Sequence, residues 1–313
     1  MDLIYVLSAK ELYDRAQIFK QNHDYDNYAI YITMAANYGY HDAIDNIYKC
    51  ETYKKQNYAV TIKFYEETAN NNEIPNAYSV HFLAFIYRHG LGVARDYLKA
   101  IDLYKISINK GCNDSLDKLA NIYQCGLGCE TDYNKALELY EEAIKKGNNH
   151  ALNNLGCLYI NRLDGNKDYS KAIYYCEKAI ENGNVTALNN LGYLYVRGFG
   201  VKINYKKAKE LYETAIKKGN IPAFNNLGYI YENGLGIQQN YLIACELYEK
   251  AIERKNIKML HNLISIYKKH RSIDYNKIIK LYNIGCDSND SKSIINLTEL
   301  LKIKNLETEI SMT

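Results

Sequence analysis

Proline occurs twice in 313 residues and tryptophan not at all. Proline is the residue that most reliably breaks a helix, so its scarcity permits helix almost throughout. No stretch approaches the roughly 18 continuous apolar residues of a membrane span. The opening MDLIYVLSAKELYD lacks the basic lead-in of a secretion signal. Eight cysteines follow no repeated pair spacing. Together these features predict reduced thiols in a cytoplasmic protein with no membrane partner. A net charge of +3 falls short of the clustered Lys and Arg that nucleic-acid binding uses, and predicts no nucleic-acid partner. Nucleophile, base and orienting group must touch for catalysis, and no G-x-S-x-G, H-E-x-x-H or comparable set appears. Cys125 and Cys129 form C-x3-C with Cys157 as a third thiol, but zinc needs four ligands in register. The sequence therefore predicts no enzyme, no metal and no cofactor. His81 and His89 fall on one helix stripe and read as ordinary surface residues. Tyrosine is abundant, at 33. It shares AT-rich codons with Asn, Lys and Ile, and much of its excess reads as composition.

A period organises the chain. Ala43, Ser79, Ser115, Ala151, Ala187, Ala223 and Met259 recur every 36 residues, followed by Ser293 after 34. Four residues beyond each lies an apolar position, such as Leu155, Leu191 and Leu227. A tyrosine column runs through Tyr97, Tyr133, Tyr169, Tyr205, Tyr241 and Tyr275. Each period holds two apolar stripes at helical spacing. The second starts after an Asp or Asn of cap type and ends at Gly111, Gly147, Gly183 or Gly219, matching a left-handed helix stop. Paired glycines, such as Gly198 and Gly200, join the two helices; with no preceding strand they read as turns rather than a nucleotide loop. Helix pairs that cannot bury their stripes alone bury them by stacking. The expected fold is all-α: one α/α solenoid over 1–313, with a degraded first unit at 1–40, seven repeats at 41–290 and a capping helix at 291–313.

The unit A-x-x-x-L-G-x-x-Y-x-x-G-x-G-x-x-x-x-[DN]-Y-x-K-A-x-x-x-Y-x-x-A, clearest over 115–256, resembles the Sel-one-like repeat, a branch of the tetratricopeptide-like superfamily. The resemblance implies a right-handed superhelix that serves as an adaptor surface, here as a monomer. It implies a concave groove lined by first helices, with a protein or peptide partner. Two alternatives are a small-molecule-binding or hydrolase-like repeat protein and a structural self-assembling one. Some relatives carry a cysteine pair in every repeat; this chain does not, so disulfide stapling is not expected.

Within ALNNLG, small residues predict close helix approach: Gly156, Gly192 and Gly228 share one column. Both asparagines fall away from the packed face in this reading. By the resemblance, Asn154, Asn190, Asn226 and Asn262 form a ladder whose amides both donate to and accept from a peptide backbone. The same column can instead bond within or between helices. Tyr193, Arg197, Tyr229 and Lys269 lie one and two turns further on, and Tyr and Arg are common interface anchors.

Overall fold

In the computed structural model, residues 7–38, 40, 42–43, 58–69, 76–162, 165, 167–270, 275–288 and 290–298 are described. Among them every regular element is a helix. They fall into two compact units, 1–167 and 168–313. The first contains α1 (Ala9–Gln21), α2 (Tyr25–Asn37), α3 (Tyr58–Ala69), α4 (Ala77–His89), α5 (Tyr97–Asn109), α6 (Asp114–Cys125), α7 (Tyr133–Lys145) and α8 (His150–Asn161). The second contains α9 (Tyr169–Glu181), α10 (Val185–Arg197), α11 (Tyr205–Lys217), α12 (Pro222–Asn233), α13 (Tyr241–Glu253), α14 (Leu260–His270) and α15 (Tyr275–Asp287). Residues 291–298 are also helical. Within each unit, consecutive helices pack on one another, most closely the two helices of one repeat. This is the packing of an α solenoid. The first helix expected after Ala43 and residues 271–274 lie outside the described residues, as do 299–313 of the expected capping helix.

The boundaries follow from local chemistry. Every tyrosine of the anchor column from Tyr97 to Tyr275 is the first residue of a second helix. The preceding Asp96, Asp132, Asp168, Asn204 and Asn240 each accept a hydrogen bond from the backbone N–H three residues on, at 2.9–3.1 Å. Such a cap is worth about 1 kcal/mol. The glycine after each second helix has positive φ, from 80° at Gly183 to 96° at Gly111. At the matching place in the next repeat stands Lys255, also left-handed at φ 65°.

The core is built from small residues opposite large rings. Ala100, Ala136, Ala172, Ala208 and Ala244 are fully buried, as are Ser107, Ala143, Ala179, Ala215 and Ala251. Between them run Tyr104, Tyr140, Tyr212 and Tyr248, no more than 1% exposed, with Cys176 in the same register. These tyrosines fill the core between the two helices of a repeat. A Cβ at Gly192 would lie 2.6 Å from Cε1 of Tyr212, and at Gly228 2.5 Å from Cε1 of Tyr248. The helical glycines therefore make room for the ring of the second helix in the same repeat. Gly200 meets the preceding repeat instead: a Cβ there would lie 2.8 Å from Tyr169 Cβ.

A second tyrosine column ends the first helices, with Tyr123 and Tyr267 buried and Tyr87 and Tyr195 half-buried. Lys99 sits 3.9 Å from the centre of the Tyr87 ring, Lys135 4.4 Å from Tyr123, Lys207 4.5 Å from Tyr195 and Lys277 4.7 Å from Tyr267. These cation–π contacts, each worth about 0.5–2 kcal/mol depending on desolvation, tie the start of a second helix to the end of its first helix. They account for the lysine and the tyrosine that recur in the repeat pattern.

Candidate partner-binding site

The asparagines occupy first helices, and their amides engage neighbouring repeats. In the first unit, Asn154 Nδ2 donates to Asp117 Oδ2 at 3.4 Å. In the second, Asn226 Nδ2 donates to Asn189 Oδ1 at 2.7 Å. Asn262 Nδ2 donates to Glu232 Oε2 at 3.4 Å, and the same oxygen accepts from the Tyr248 hydroxyl at 2.6 Å. Asn190 is half-buried on α10. The Lys269 side chain lies outside the described residues.

In two of the three pairs one asparagine turns inward, contrary to the expectation that both turn from the packed face, while Asn189 and Asn190 are both half-buried. Asn153 and Asn225 are 8% and 3% exposed, whereas Asn154 and Asn226 are half-buried. The buried column continues through Asp117 (4%) and His81 (1%), so His81 is a core residue rather than a surface one. His81 Nδ1 lies 2.8 Å from Ser115 Oγ, which donates to Ser107 Oγ at 2.9 Å; Ser107 in turn donates to the Ala77 carbonyl at 2.7 Å. Because both serine hydroxyl protons are committed onward, the His81 ring donates from Nδ1. Burial pushes the Asp117 carboxyl above the ordinary carboxylate range, opposed by Lys118 and His81. The sequence signal for this column was the recurrence of a polar residue immediately before the Asn154 column.

One cavity in the second unit gathers four of the expected residues. It measures about 270 Å³ and is lined by Tyr193, Arg197, Asn226 and Tyr229, with Val196, Tyr212 and Met259 completing it. Helix α10 supplies Tyr193 and Arg197 one turn apart, and α12 supplies Asn226 and Tyr229. The floor is the buried Tyr212 ring, whose phenol is held protonated by burial and by the neighbouring Tyr193. Arg197 is exposed at the end of α10, with its guanidinium carbon 5.9 Å from the ring centres of both Tyr193 and Phe199. Phe199 stacks on Tyr169 at 4.5 Å and meets Tyr193 edge-on at 6.1 Å. Phe199 and Met259 were missed from sequence. Phe199 replaces the leucine of the other glycine loops, and Met259 replaces the alanine that opens three preceding repeats.

The Sel1 repeat profile matches residues 77–112, 114–148, 149–184, 185–220 and 222–256, more than half of the chain. The chain belongs to the Sel1 repeat family. Sel1 repeat proteins are generally protein-interaction scaffolds. A Sel1 repeat protein from Oxalobacter formigenes is 25% identical to this one over 72% of this chain and 94% of its own, with a TM-score of 0.61. The antigen c5321 of uropathogenic Escherichia coli strains, which displays an SLR fold, is 24% identical over 93% of this chain, with a TM-score of 0.54; the chain spans 64% of that protein's length. Human IFIT1, solved as a dimer with PPP-AAAA, shares the fold at 14% identity over 94% of this chain and 78% of its own, with a TM-score of 0.51. No protein of curated function matches. Among the described residues of this Sel1 repeat protein, no His, Cys, Asp and Glu group is arranged to hold a metal ion. No described helix is long and apolar enough to cross a membrane.

Proposed function

We propose that this Sel1 repeat protein is a non-enzymatic, monomeric scaffold of the cytoplasm that binds an extended peptide or a partner's helix along its first helices. The observation that carries the reading is the convergence of Tyr193, Arg197, Asn226 and Tyr229 on one cavity from two successive first helices. Aromatic side chains and arginine dominate the energetics of protein interfaces. At about 270 Å³ the cavity is below the range of about 300–1,000 Å³ usual for small-molecule sites. That size suits one inserted side chain better than a cofactor or a drug-sized substrate. Asn190 extends α10 beyond the cavity, Asn262 and Lys269 lie on the next first helix, α14, and Asn154 offers a corresponding amide in 1–167. Affinity capture from native lysate tests the proposal, comparing wild type with the variant Asn190→Ala, Tyr193→Ala, Asn226→Ala, Tyr229→Ala. Partners retained by wild type and lost by the variant are expected. Identical partners for both would remove the groove as the binding site.

A further inference from the structure

Resting on that reading, we infer that the segment received by the 168–313 unit is acidic: a large apolar side chain fills the cavity, and a carboxylate beside it pairs with Arg197. The first observation is a segregation of charge. Between Val185 and Asn204, the first helix and the loop after it, there is no carboxylate, while Arg197 and Lys202 are present. Between Pro222 and Asn240 the sole carboxylate is Glu232. Its Oε2 is engaged by the Tyr248 hydroxyl and the Asn262 amide. Seven glutamates lie instead on second helices, two on α9, two on α11 and three on α13. Helix α10 and the loop after it carry two cations and no carboxylate, and the one carboxylate of α12 is already engaged, so this face attracts an acidic segment and repels a basic one.

The second observation is the state of Arg197. It makes no ion pair among the described residues, although it ends a helix in a chain rich in glutamate. Its guanidinium carbon lies 5.9 Å from two ring centres, within cation–π range. An exposed guanidinium beside the cavity is free to pair its N–H edge with a carboxylate. The third observation is the wall chemistry. Val196, Met259 and the Tyr212 ring give the cavity an apolar interior, while the exposed Tyr193 and Tyr229 frame its mouth. An aliphatic or aromatic anchor fits the interior, and polar groups fit only the rim.

The test is selection of a random linear peptide library on the whole protein. Wild type is compared with Arg197→Glu and with the double variant Tyr193→Ala, Tyr229→Ala, each first confirmed to retain wild-type helicity. The expected wild-type pool has Asp or Glu next to Leu, Ile or Phe. Arg197→Glu should bind the leading peptide at least tenfold more weakly. Wild-type binding should weaken from about 0.1 M to about 1 M salt, as the screening length falls from about 10 to about 3 Å. A pool that depends on Tyr193 and Tyr229 but lacks acidic residues overturns this inference and leaves the cavity as the binding site. A pool that is the same for all three proteins overturns both.

Discussion

Gly192→Leu, tested with and without Tyr212→Ala, measures what the helical glycines contribute. A Cβ on residue 192 would lie 2.6 Å from Tyr212 Cε1 and 3.0 Å from Cδ1 and Cζ. Carbon atoms rest at about 3.5–4.0 Å, so the ring must retreat by about 1 Å to admit even a methyl. Tyr212 is 1% exposed and packs in a cluster with Leu188, Ala208, Ala215, Ala223, Leu227 and Ile230, which limits that retreat. Ala120 and Tyr140 occupy the same two columns in another repeat, and both are fully buried, so a methyl alone can be accommodated. Leucine adds three further carbons. Overpacking of this kind costs about 1–3 kcal/mol, here toward the upper end, and replacing a mid-helix glycine returns about 1 kcal/mol. The expected net loss is about 2 kcal/mol. Tyr212→Ala alone should cost about 3–5 kcal/mol, as for other buried aromatic rings. In that background the leucine enters the space the ring has left, and the same Gly192→Leu change should stabilise. The coupling between the two sites is then about 3 kcal/mol, at the top of the range for residues in contact. Urea unfolding of the four proteins, followed by far-ultraviolet circular dichroism, supplies the cycle. An equal cost for Gly192→Leu in both backgrounds would refute the reasoning.

Two other substitutions have definite signs. Lys255 holds the left-handed conformation that glycine holds at the end of four earlier second helices. That conformation costs an ordinary residue about 1–2 kcal/mol, and the greater freedom of glycine in the unfolded chain removes part of the gain. Lys255→Gly should therefore stabilise by about 0.5–1 kcal/mol; a lowered melting temperature would contradict it. Asp117 is 4% exposed, and burial raises its pKa in the folded state. The folded protein thus holds this proton more tightly than the unfolded chain does. Stability from this group is present below the unfolded carboxylate pKa of about 3.9 and is lost as pH rises through the raised folded value. Asp117→Asn should be more stable than wild type at pH 7, with the difference shrinking toward pH 4 in melts across that range. A difference independent of pH would assign the effect to packing instead.

The repeat period, the caps and the helix-ending glycines were legible because each meets a local backbone demand that recurs every repeat. An Asp or Asn before a tyrosine reads as a cap from its immediate neighbours alone. The asparagine pair was harder. Asn226 bonds Asn189 in the preceding repeat, a contact spanning 37 positions that one helical stripe does not display. His81 was misplaced for the same reason, since its partner Ser115 lies 34 residues away. Three cavity residues, Tyr193, Arg197 and Tyr229, were legible because interface-type side chains stood one and two turns beyond the asparagines. Phe199 was missed because its loop reads as a turn, and Met259 because its column reads as core. The burial of the tyrosines opposite glycine and alanine depends on the partner helix, which a single stripe does not contain.

Glycine 192 and Tyr212 belong to one repeat, whereas Gly200 with Tyr169 and Asn226 with Asn189 each join two successive repeats. Every repeat that bears both halves of such a pair is compatible with a copy of itself on either side. Duplicating a whole unit of this kind reproduces each contact at the new junction and creates no unmatched surface. Inserting part of a unit separates the halves and rotates the small residues away from the rings they accommodate. The array can thus lengthen or shorten in whole repeats while Tyr193, Arg197 and Tyr229 diverge individually, since they take no part in those contacts.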